Sequence, residues 1–213
     1  MPQVGWEDRP AGVRTVRVRA LRPRFTAHSH EGPGAGRKAI ALLFKPEETI
    51  EFLAAALAAM AEGFVIVPLY PNWPAETQLE YLRAYRLRGI AFAERFRARV
   101  ESGRGQGIDS LIRMDAGEDG LDPASEVFPA EMSPEAPCAW IFTSGTSGKL
   151  AKLTEITFEN LEAAIENIQR LDFLEPCMTV HCPLSASHIF AFVVILGFIT
   201  IEPRRVIFSD AQY

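Results

Sequence analysis

Residues 39–70 decide the fold class, and they read AIALLFKPEETIEFLAAALAAMAEGFVIVPLY. The run Ala39–Phe44 is short and continuously apolar, which is typical of a strand buried on both faces. Apolar residues then recur at helical spacing up to Gly63, which stands where a helix ends. Phe64–Tyr70 predicts a second buried strand. Strand, helix and strand in this order predict parallel neighbours joined by a crossover, and hence an α/β domain with a mainly parallel sheet flanked by helices.

Further elements are predicted downstream of this unit. Pro74–Tyr85 has a helical pattern, and Ile90–Ala93 and Leu111–Met114 are short apolar runs that predict strands. Residues 101–137 are rich in glycine, acidic residues and proline, and could form a domain linker or a long surface excursion. Because strands resume directly afterwards, we favour the excursion. The apolar run Ile189–Ile201 is shorter than the ~20 residues that span a bilayer, so it predicts a buried core helix.

The first 38 residues differ in composition from the rest of the chain and are expected to form an extension. Val16, Val18 and Ala20 alternate with arginines, which predicts one half-buried edge strand. A basic arm that binds nucleic acid is the alternative, although acidic residues dilute its charge. The predicted organisation is therefore an extension at 1–38 and a partial domain at 39–213.

Composition and charge exclude several classes of protein. The 213 residues are 48% hydrophobic and 23% charged with a net charge of −5, so no basic field would attract a nucleic acid. The cysteines Cys138, Cys177 and Cys182 are odd in number and lack metal-ligand spacing, which predicts reduced, buried thiols and no metal site. The N-terminus lacks the apolar segment of a secretory signal. A cytoplasmic location is expected.

The most specific motif is Thr143–Lys152, TSGTSGKLAK, which directly follows the apolar run Cys138–Phe142. Glycines let backbone N–H groups converge on one point, hydroxyls add donors, and lysine adds positive charge. These features predict a loop that holds the phosphates of a nucleotide, with an unliganded Ser/Gly-rich turn as the alternative. The P-loop of nucleotide hydrolases does not fit, because only two residues separate Gly145 from Gly148 and a leucine follows the lysine.

The loop and the residues after it resemble the signature of the adenylate-forming superfamily, T-S-G-[ST]-[ST]-G-x-P-K-G, then a strand and T-H-x-N-L. That superfamily contains acyl-CoA synthetases, fatty acyl-AMP ligases, luciferases and the adenylation domains of peptide synthetases. Leu153–Ile156 supplies the strand, and Thr157–Leu161 (TFENL) supplies the helix start. Two departures change the loop: Leu150–Ala151 replaces a single proline, and Leu153 replaces a glycine.

The resemblance implies which residues contact ATP. Aligned from both sides, Lys152 takes the place of the family's lysine and Lys149 takes a variable position. The implied ATP-binding residues are Thr143, Ser144, Gly145, Thr146, Ser147, Gly148, Lys149 and Lys152, and Mg²⁺ is implied beside them.

Two flanking regions are also similar to the family. Phe44–Tyr70 resembles its E-x-x-x-x-x-L-A-x-x-x-A-G-x-x-x-V-P-L-x-P region, and Pro183–Phe192 resembles its P-L-x-H-x-x-G element. In relatives, the histidine or aromatic residue of that element lines the carboxylate and adenylate pocket. This implies a substrate-binding role for His188, with an ordinary core histidine as the alternative.

The family's reaction implies the function of the parent protein. A carboxylate attacks the α-phosphorus of ATP and releases pyrophosphate, and the acyl group then passes to the thiol of CoA or of a carrier protein's phosphopantetheine. The family's Y-G-x-T-E element, with its magnesium-binding glutamate, and its C-terminal lysine do not occur in these 213 residues. We therefore expect an N-terminal fragment of such a ligase, not catalytically complete alone, in which no catalytic or metal-binding residue can be named. The alternative is an inactive nucleotide-binding or interaction module derived from the same fold.

The resemblance also implies partners. They are a small carboxylic acid, an acyl carrier protein or a separate C-terminal part, and a second copy of the chain if an incomplete core leaves apolar surface exposed. No nucleic-acid partner and no membrane span are expected.

Overall fold

The computed structural model describes residues 38–114, 133–142, 152–171, 179–182, 188–200 and 205–208. The predicted edge strand at Val16–Ala20 lies outside these residues. So do residues 115–132 of the predicted excursion.

The main sheet is mostly parallel. Its six strands are β1 (Ala39–Leu43), β2 (Val65–Pro68), β3 (Gly89–Ala93), β4 (Ser110–Met114), β5 (Pro137–Phe142) and β6 (Leu153–Thr157). Their spatial order is β4-β3-β1-β2-β5-β6. Neighbouring strands run parallel except β5 and β6, which form an antiparallel pair. The predicted α/β class with a mainly parallel sheet is confirmed.

Five helices accompany the strands in the described part of the chain. They are α1 (Thr49–Ala61), α2 (Ala75–Ala84), α3 (Arg97–Ser102), α4 (Phe158–Gln169) and α5 (Ile189–Thr200). Short 3₁₀ turns, Pro46–Glu48 and Glu94–Phe96, lead into α1 and α3. A separate two-stranded parallel sheet joins β7 (Thr179–Cys182) to β8 (Arg205–Phe208).

The strand–helix–strand unit forms as its sequence predicts. Every residue of β1 and β2 is buried, because both faces of a parallel sheet are covered by helices. α1 turns many alanines inward, and those at 55, 56, 58 and 59 are fully buried. The helix ends before Gly63, whose φ of +76° is a left-handed conformation that favours glycine.

The predicted excursion contains more regular structure than its composition suggests. It begins with the end of α3, turns back through Gly105 and Gly107, and continues into β4. Both glycines have positive φ, +78° and +109°, which explains why this turn is glycine-rich. β4 pairs with β3 over its whole length.

Helices α4 and α5 pack closely together. A Cβ atom at Gly197 would lie 2.8 Å from Cγ2 of Ile168, so glycine permits this approach. In α5, Ala191, Phe192 and Ile195 are fully buried. The predicted core helix is thus confirmed over Ile189–Thr200.

The strand order changes direction at two places on the carboxyl edge of the sheet. After β2 the chain returns across β1 to β3, whereas after β5 it turns away to β6. The chain also leaves β1 towards β2 on one side and leaves β3 towards β4 on the other side. In open α/β sheets, ligands bind in the crevices that form outside the carboxyl ends of such strands.

Candidate functional site

One of the two crevices is closed by ion pairs. Arg95, which follows β3, places Nε 2.7 Å from Oε1 of Glu48, which follows β1, and it also contacts Glu47. The Glu48 side chain is only 9% exposed, and its other oxygen accepts a hydrogen bond from Lys45 N at 2.8 Å. These contacts join the two connections and leave the β2–β5 crevice as the better candidate site.

The β2–β5 crevice lies where the predicted phosphate-binding loop begins. Phe142 and Leu153 are the last pair of the β5–β6 ladder, so residues 143–152 connect the two strands at the carboxyl edge. The sequence predicted a strand on each side of this connection, and both strands are confirmed. Of the implied ATP-binding residues, Lys152 lies within the described part of the chain. Thr143, Ser144, Gly145, Thr146, Ser147, Gly148 and Lys149 lie outside it.

Lys152 stands at the end of the connection. Its side chain is exposed, and the next residue, Leu153, enters β6 and packs partly buried against the core. Leu153 occupies the position where the family signature has glycine. A side chain that fills this position fixes the start of β6 more firmly than glycine would.

The other end of β6 is anchored to the following helix. Thr157 Oγ1 accepts a hydrogen bond from Asn160 N at 3.2 Å, and Asn160 Oδ1 accepts one from Thr157 N at 3.2 Å. This reciprocal pair is a capping box. It gives a physical reason for the threonine and asparagine of the TFENL segment. The segment before β5 contributes too, because Ala136 O accepts a hydrogen bond from Phe158 N at 3.0 Å.

Every residue of strand β5 is buried, and the polar side-chain groups of Cys138 and Trp140 have partners. Trp140 Nε1 donates a hydrogen bond to Glu155 Oε2 at 3.0 Å across the ladder. Cys138 Sγ donates to Ile156 O at 3.4 Å. Burial raises the pKa of Cys138 to about 12, so at neutral pH the group is a thiol and not the thiolate that attacks electrophiles. Cys138 and Cys182 are buried thiols, as predicted.

Aromatic rings surround the last residue of β5. The Phe142 ring centroid lies 4.8 Å from Tyr81, 5.4 Å from Trp73 and 5.7 Å from Tyr85. Trp73 stacks on Tyr81 with a centroid distance of 4.5 Å and an interplanar angle of 17°. We call Trp73, Tyr81, Tyr85 and Phe142 the aromatic cluster. Sequence reasoning missed it, and the available signal was weak: a pair of tyrosines four residues apart on a helix that follows a buried strand.

His188 precedes α5. It is exposed, and its carbonyl accepts a hydrogen bond from Phe192 N at 3.0 Å. An exposed side chain does not agree with the alternative of a core histidine. The residues 183–187 that carry most of the resemblance to the P-L-x-H-x-x-G element lie outside the described part, and the substrate-binding role of His188 stays a prediction.

No group of three or more histidine, cysteine, aspartate or glutamate side chains in the described ranges could hold a metal ion. None of the helices described is both long enough and apolar enough to cross a membrane.

Solved structures share this fold. The N-terminal domain of FACL13 from Mycobacterium tuberculosis superposes with a TM-score of 0.67 at 18% identity, over 92% of this chain and 50% of that one. ATP-bound MatB from Rhodopseudomonas palustris gives a TM-score of 0.71 at 19% identity, over 90% of this chain and 38% of that one. A red-emitting luciferase from Phrixothrix hirtus gives 0.72 at 13% identity, over 89% and 38%.

These likenesses define a class of fold, the mainly parallel α/β sheet that the three proteins have in common with this chain. A match to a family profile identifies the family. The profile of the AMP-binding enzyme family matches residues 33–212, and the chain belongs to that family. It spans half or less of the length of the three structures above. No curated protein matches it by sequence.

Proposed function

We propose that this chain supplies the ATP-binding part of a carboxylate-activating, acyl-adenylate-forming ligase. The observation that carries the proposal is the β5–β6 connection. A ten-residue segment rich in hydroxyls, glycine and lysine joins two strands at the carboxyl edge of a sheet whose strand order reverses there. Membership of the AMP-binding enzyme family supports the same interpretation.

The chemistry of the loop residues fits a polyphosphate. Two glycines free the backbone N–H groups to point at one anion, and the hydroxyls of Thr143, Ser144, Thr146 and Ser147 donate to phosphate oxygens. The ammonium groups of Lys149 and Lys152 balance the negative charge. The loop would hold the β- and γ-phosphates, which leave as pyrophosphate when a carboxylate oxygen attacks the α-phosphorus.

ATP would bring Mg²⁺ with it, and the ion would supply positive charge that stabilises the departing pyrophosphate. No residue of this chain is assigned to the ion. The protein's own contribution would be to position the phosphates and to stabilise the charge that develops on the leaving group.

The second half of the proposed reaction needs a thiol. The acyl carbon of the adenylate is attacked by the sulfur of CoA or of a carrier protein's phosphopantetheine, and AMP leaves. Cys138 does not supply this thiol, because it is buried and protonated at neutral pH. The acceptor would therefore come from outside the chain, and an acyl carrier protein is one proposed partner.

Further proposals concern assembly and location. A separate C-terminal part would complete the site, and a second copy of the chain is a proposed partner through exposed apolar surface. Large exposed hydrophobic residues in the described part are Ile50 and Leu171. The buried thiols of Cys138 and Cys182 are compatible with a reducing cytoplasm.

An inactive nucleotide-binding or interaction module is the second candidate function. Leu153 favours it, since this side chain packs at a position where the family has glycine and could alter the loop's geometry. The two candidates differ once the chain is joined to the missing elements. A ligase fragment would then support carboxylate-dependent exchange of pyrophosphate into ATP, whereas an inactive module would not.

Binding is tested first by calorimetric titration of Mg·ATP into the chain. We expect saturable binding, competition by inorganic tripolyphosphate, and no competition by adenosine at the same concentration, because the loop would contact phosphates. Competition by adenosine but not by tripolyphosphate would contradict the proposed role of the loop.

A further inference from the structure

The end of β5 is held unequally by its two neighbouring strands. On the β6 side, Ile141 pairs with Thr154 and Phe142 pairs with Leu153. On the β2 side, Ile66 pairs with Ala139, and no later pair joins these strands within the residues described. The same register would place Pro68 opposite Ile141. Proline has no N–H to donate, which gives a physical reason for the ladder to stop.

The other three rings of the aromatic cluster pack against Phe142, which lies beyond the last β2–β5 pair. Trp73 comes from the β2–α2 connection, Tyr81 comes from α2 and Tyr85 directly follows α2. All three ring centroids lie within 5.7 Å of the Phe142 centroid. Aromatic pairs at such distances attract one another beyond simple burial. Trp73, Tyr81 and Tyr85 therefore stabilise the position of Phe142 beyond the last pair of the β2–β5 ladder.

Hydrogen bonds fix the β2–α2 connection, which carries Trp73. Gln78 is buried, and its Nε2 donates a hydrogen bond to Tyr70 O at 3.0 Å. Arg99, from α3, donates from Nη1 to Pro71 O at 3.1 Å, and Trp73 N donates to Tyr70 O at 3.2 Å. Three donors from separate positions thus fix the backbone that carries Trp73.

We propose that Trp73, Tyr81 and Tyr85 are positioning residues for ATP binding, acting through Phe142 on the loop that starts at the next residue. The inference rests on the proposed function, and these residues act without touching ATP. Phosphate binding requires N–H and hydroxyl donors within about 2.7–3.2 Å of the anion. A shift of Phe142 moves the start of the loop with it, since consecutive Cα atoms are held 3.8 Å apart.

A matched pair of variants tests the inference. Phe142→Leu removes the ring at the carboxyl edge, and Phe64→Leu removes an equally buried ring at the amino edge of the same sheet. We expect Mg·ATP to bind about tenfold more weakly to Phe142→Leu and as tightly to Phe64→Leu as to the wild type. Equal affinities for the two variants, with clear binding by the wild type, would overturn the inference and leave the proposed function intact.

Trp73 provides a second comparison for the case that Phe142→Leu does not fold. Trp73→Leu should weaken Mg·ATP binding about as much, and Trp73→Phe, which keeps a ring, should restore most of the affinity. If Trp73→Phe binds no better than Trp73→Leu, the ring does not act by contact with Phe142 and the inference fails.

A readout without nucleotide separates this inference from the proposed function. Amide hydrogen exchange in Trp140–Phe142 should be faster in Trp73→Leu than in the wild type and unchanged in Phe64→Leu. Unchanged hydrogen exchange in Trp73→Leu would refute the claim that Trp73 stabilises the end of β5. Absence of Mg·ATP binding by the wild type would instead refute the proposed function, and positioning for ATP with it.

Discussion

Phe142 and Leu153 face each other as the last pair of the antiparallel β5–β6 ladder, and the predicted phosphate-binding loop is the chain between them. The pair ties both ends of the loop to the main sheet, so the β5–β6 ladder fixes its entry and its exit. Family membership and strand order support the proposal that this segment holds the phosphates.

The two lysines of the loop are expected to differ. Lys152, which stands where the family signature has its lysine, should contact phosphate. Lys152→Ala should weaken Mg·ATP binding about tenfold or more, since a charge-assisted hydrogen bond contributes ~1.5–3 kcal/mol. Lys149→Ala should have a smaller effect. Calorimetry that gives the opposite order would show that the extra residue, Leu150 or Ala151, has been placed wrongly in the comparison with the family.

The capping box of α4 should stabilise the fold measurably. Thr157→Ala removes the hydroxyl that accepts the hydrogen bond from Asn160 N. We expect the free energy of unfolding to fall by about 1 kcal/mol. Thr157→Ser keeps the hydroxyl and serves as the control. Urea unfolding that shows equal loss in both variants would argue that the methyl group matters and the cap does not.

The ion pair that closes the β1–β3 crevice should contribute more than a surface pair. Arg95→Met leaves the Glu48 carboxylate, only 9% exposed, without its charged partner. We expect the free energy of unfolding to fall by about 1–3 kcal/mol. Arg170→Met is the matched control, because its partner Glu166 is 52% exposed, and such helix pairs contribute about 0.3–0.5 kcal/mol. If urea unfolding shows equal losses of unfolding free energy in the two variants, the Arg95–Glu48 pair contributes no more than a surface pair, which would contradict the prediction.

Cys138 should be inert in the folded protein. Its pKa is raised from 9.0 to about 12 by burial, so the folded state favours the protonated thiol. The stability that this contributes is fully present below pH 9.0 and is lost as the pH rises towards about 12. At pH 8, iodoacetamide should label Cys138 in urea and not in buffer, as read by peptide mass spectrometry. Rapid labelling of the folded chain would contradict its burial.

The sequence predicted those parts of the fold that local pattern determines. Ala39–Phe44 and Cys138–Phe142 are continuous apolar runs, and such runs survive only where both faces of a strand are covered. Gly63 marked the end of α1 for a local reason as well, because glycine adopts positive φ without strain. The short helix α3 and the strand β7 were not predicted, since six and four residues carry too little periodicity.

The contacts that make up the candidate site depend on tertiary structure. Arg95 and Glu48 come from different connections, and Phe142 meets Trp73 only because β5 packs beside β2. The sequence contained the residues but not their proximity. By contrast, the proposed phosphate-binding residues lie within one ten-residue segment, so the sequence alone could group them.

The most direct test of the central claim compares the wild type with a variant that lacks the loop's middle hydroxyls, Ser144→Ala, Thr146→Val and Ser147→Ala. Loop length, glycines and lysines are retained, so the variant changes only the donors offered to phosphate. Calorimetric titration with Mg·ATP should show saturable binding by the wild type and affinity at least about tenfold weaker in the variant, with the urea midpoint unchanged. No binding by the wild type, or equal affinity in both proteins, would contradict the claim that residues 143–152 hold the phosphates of ATP.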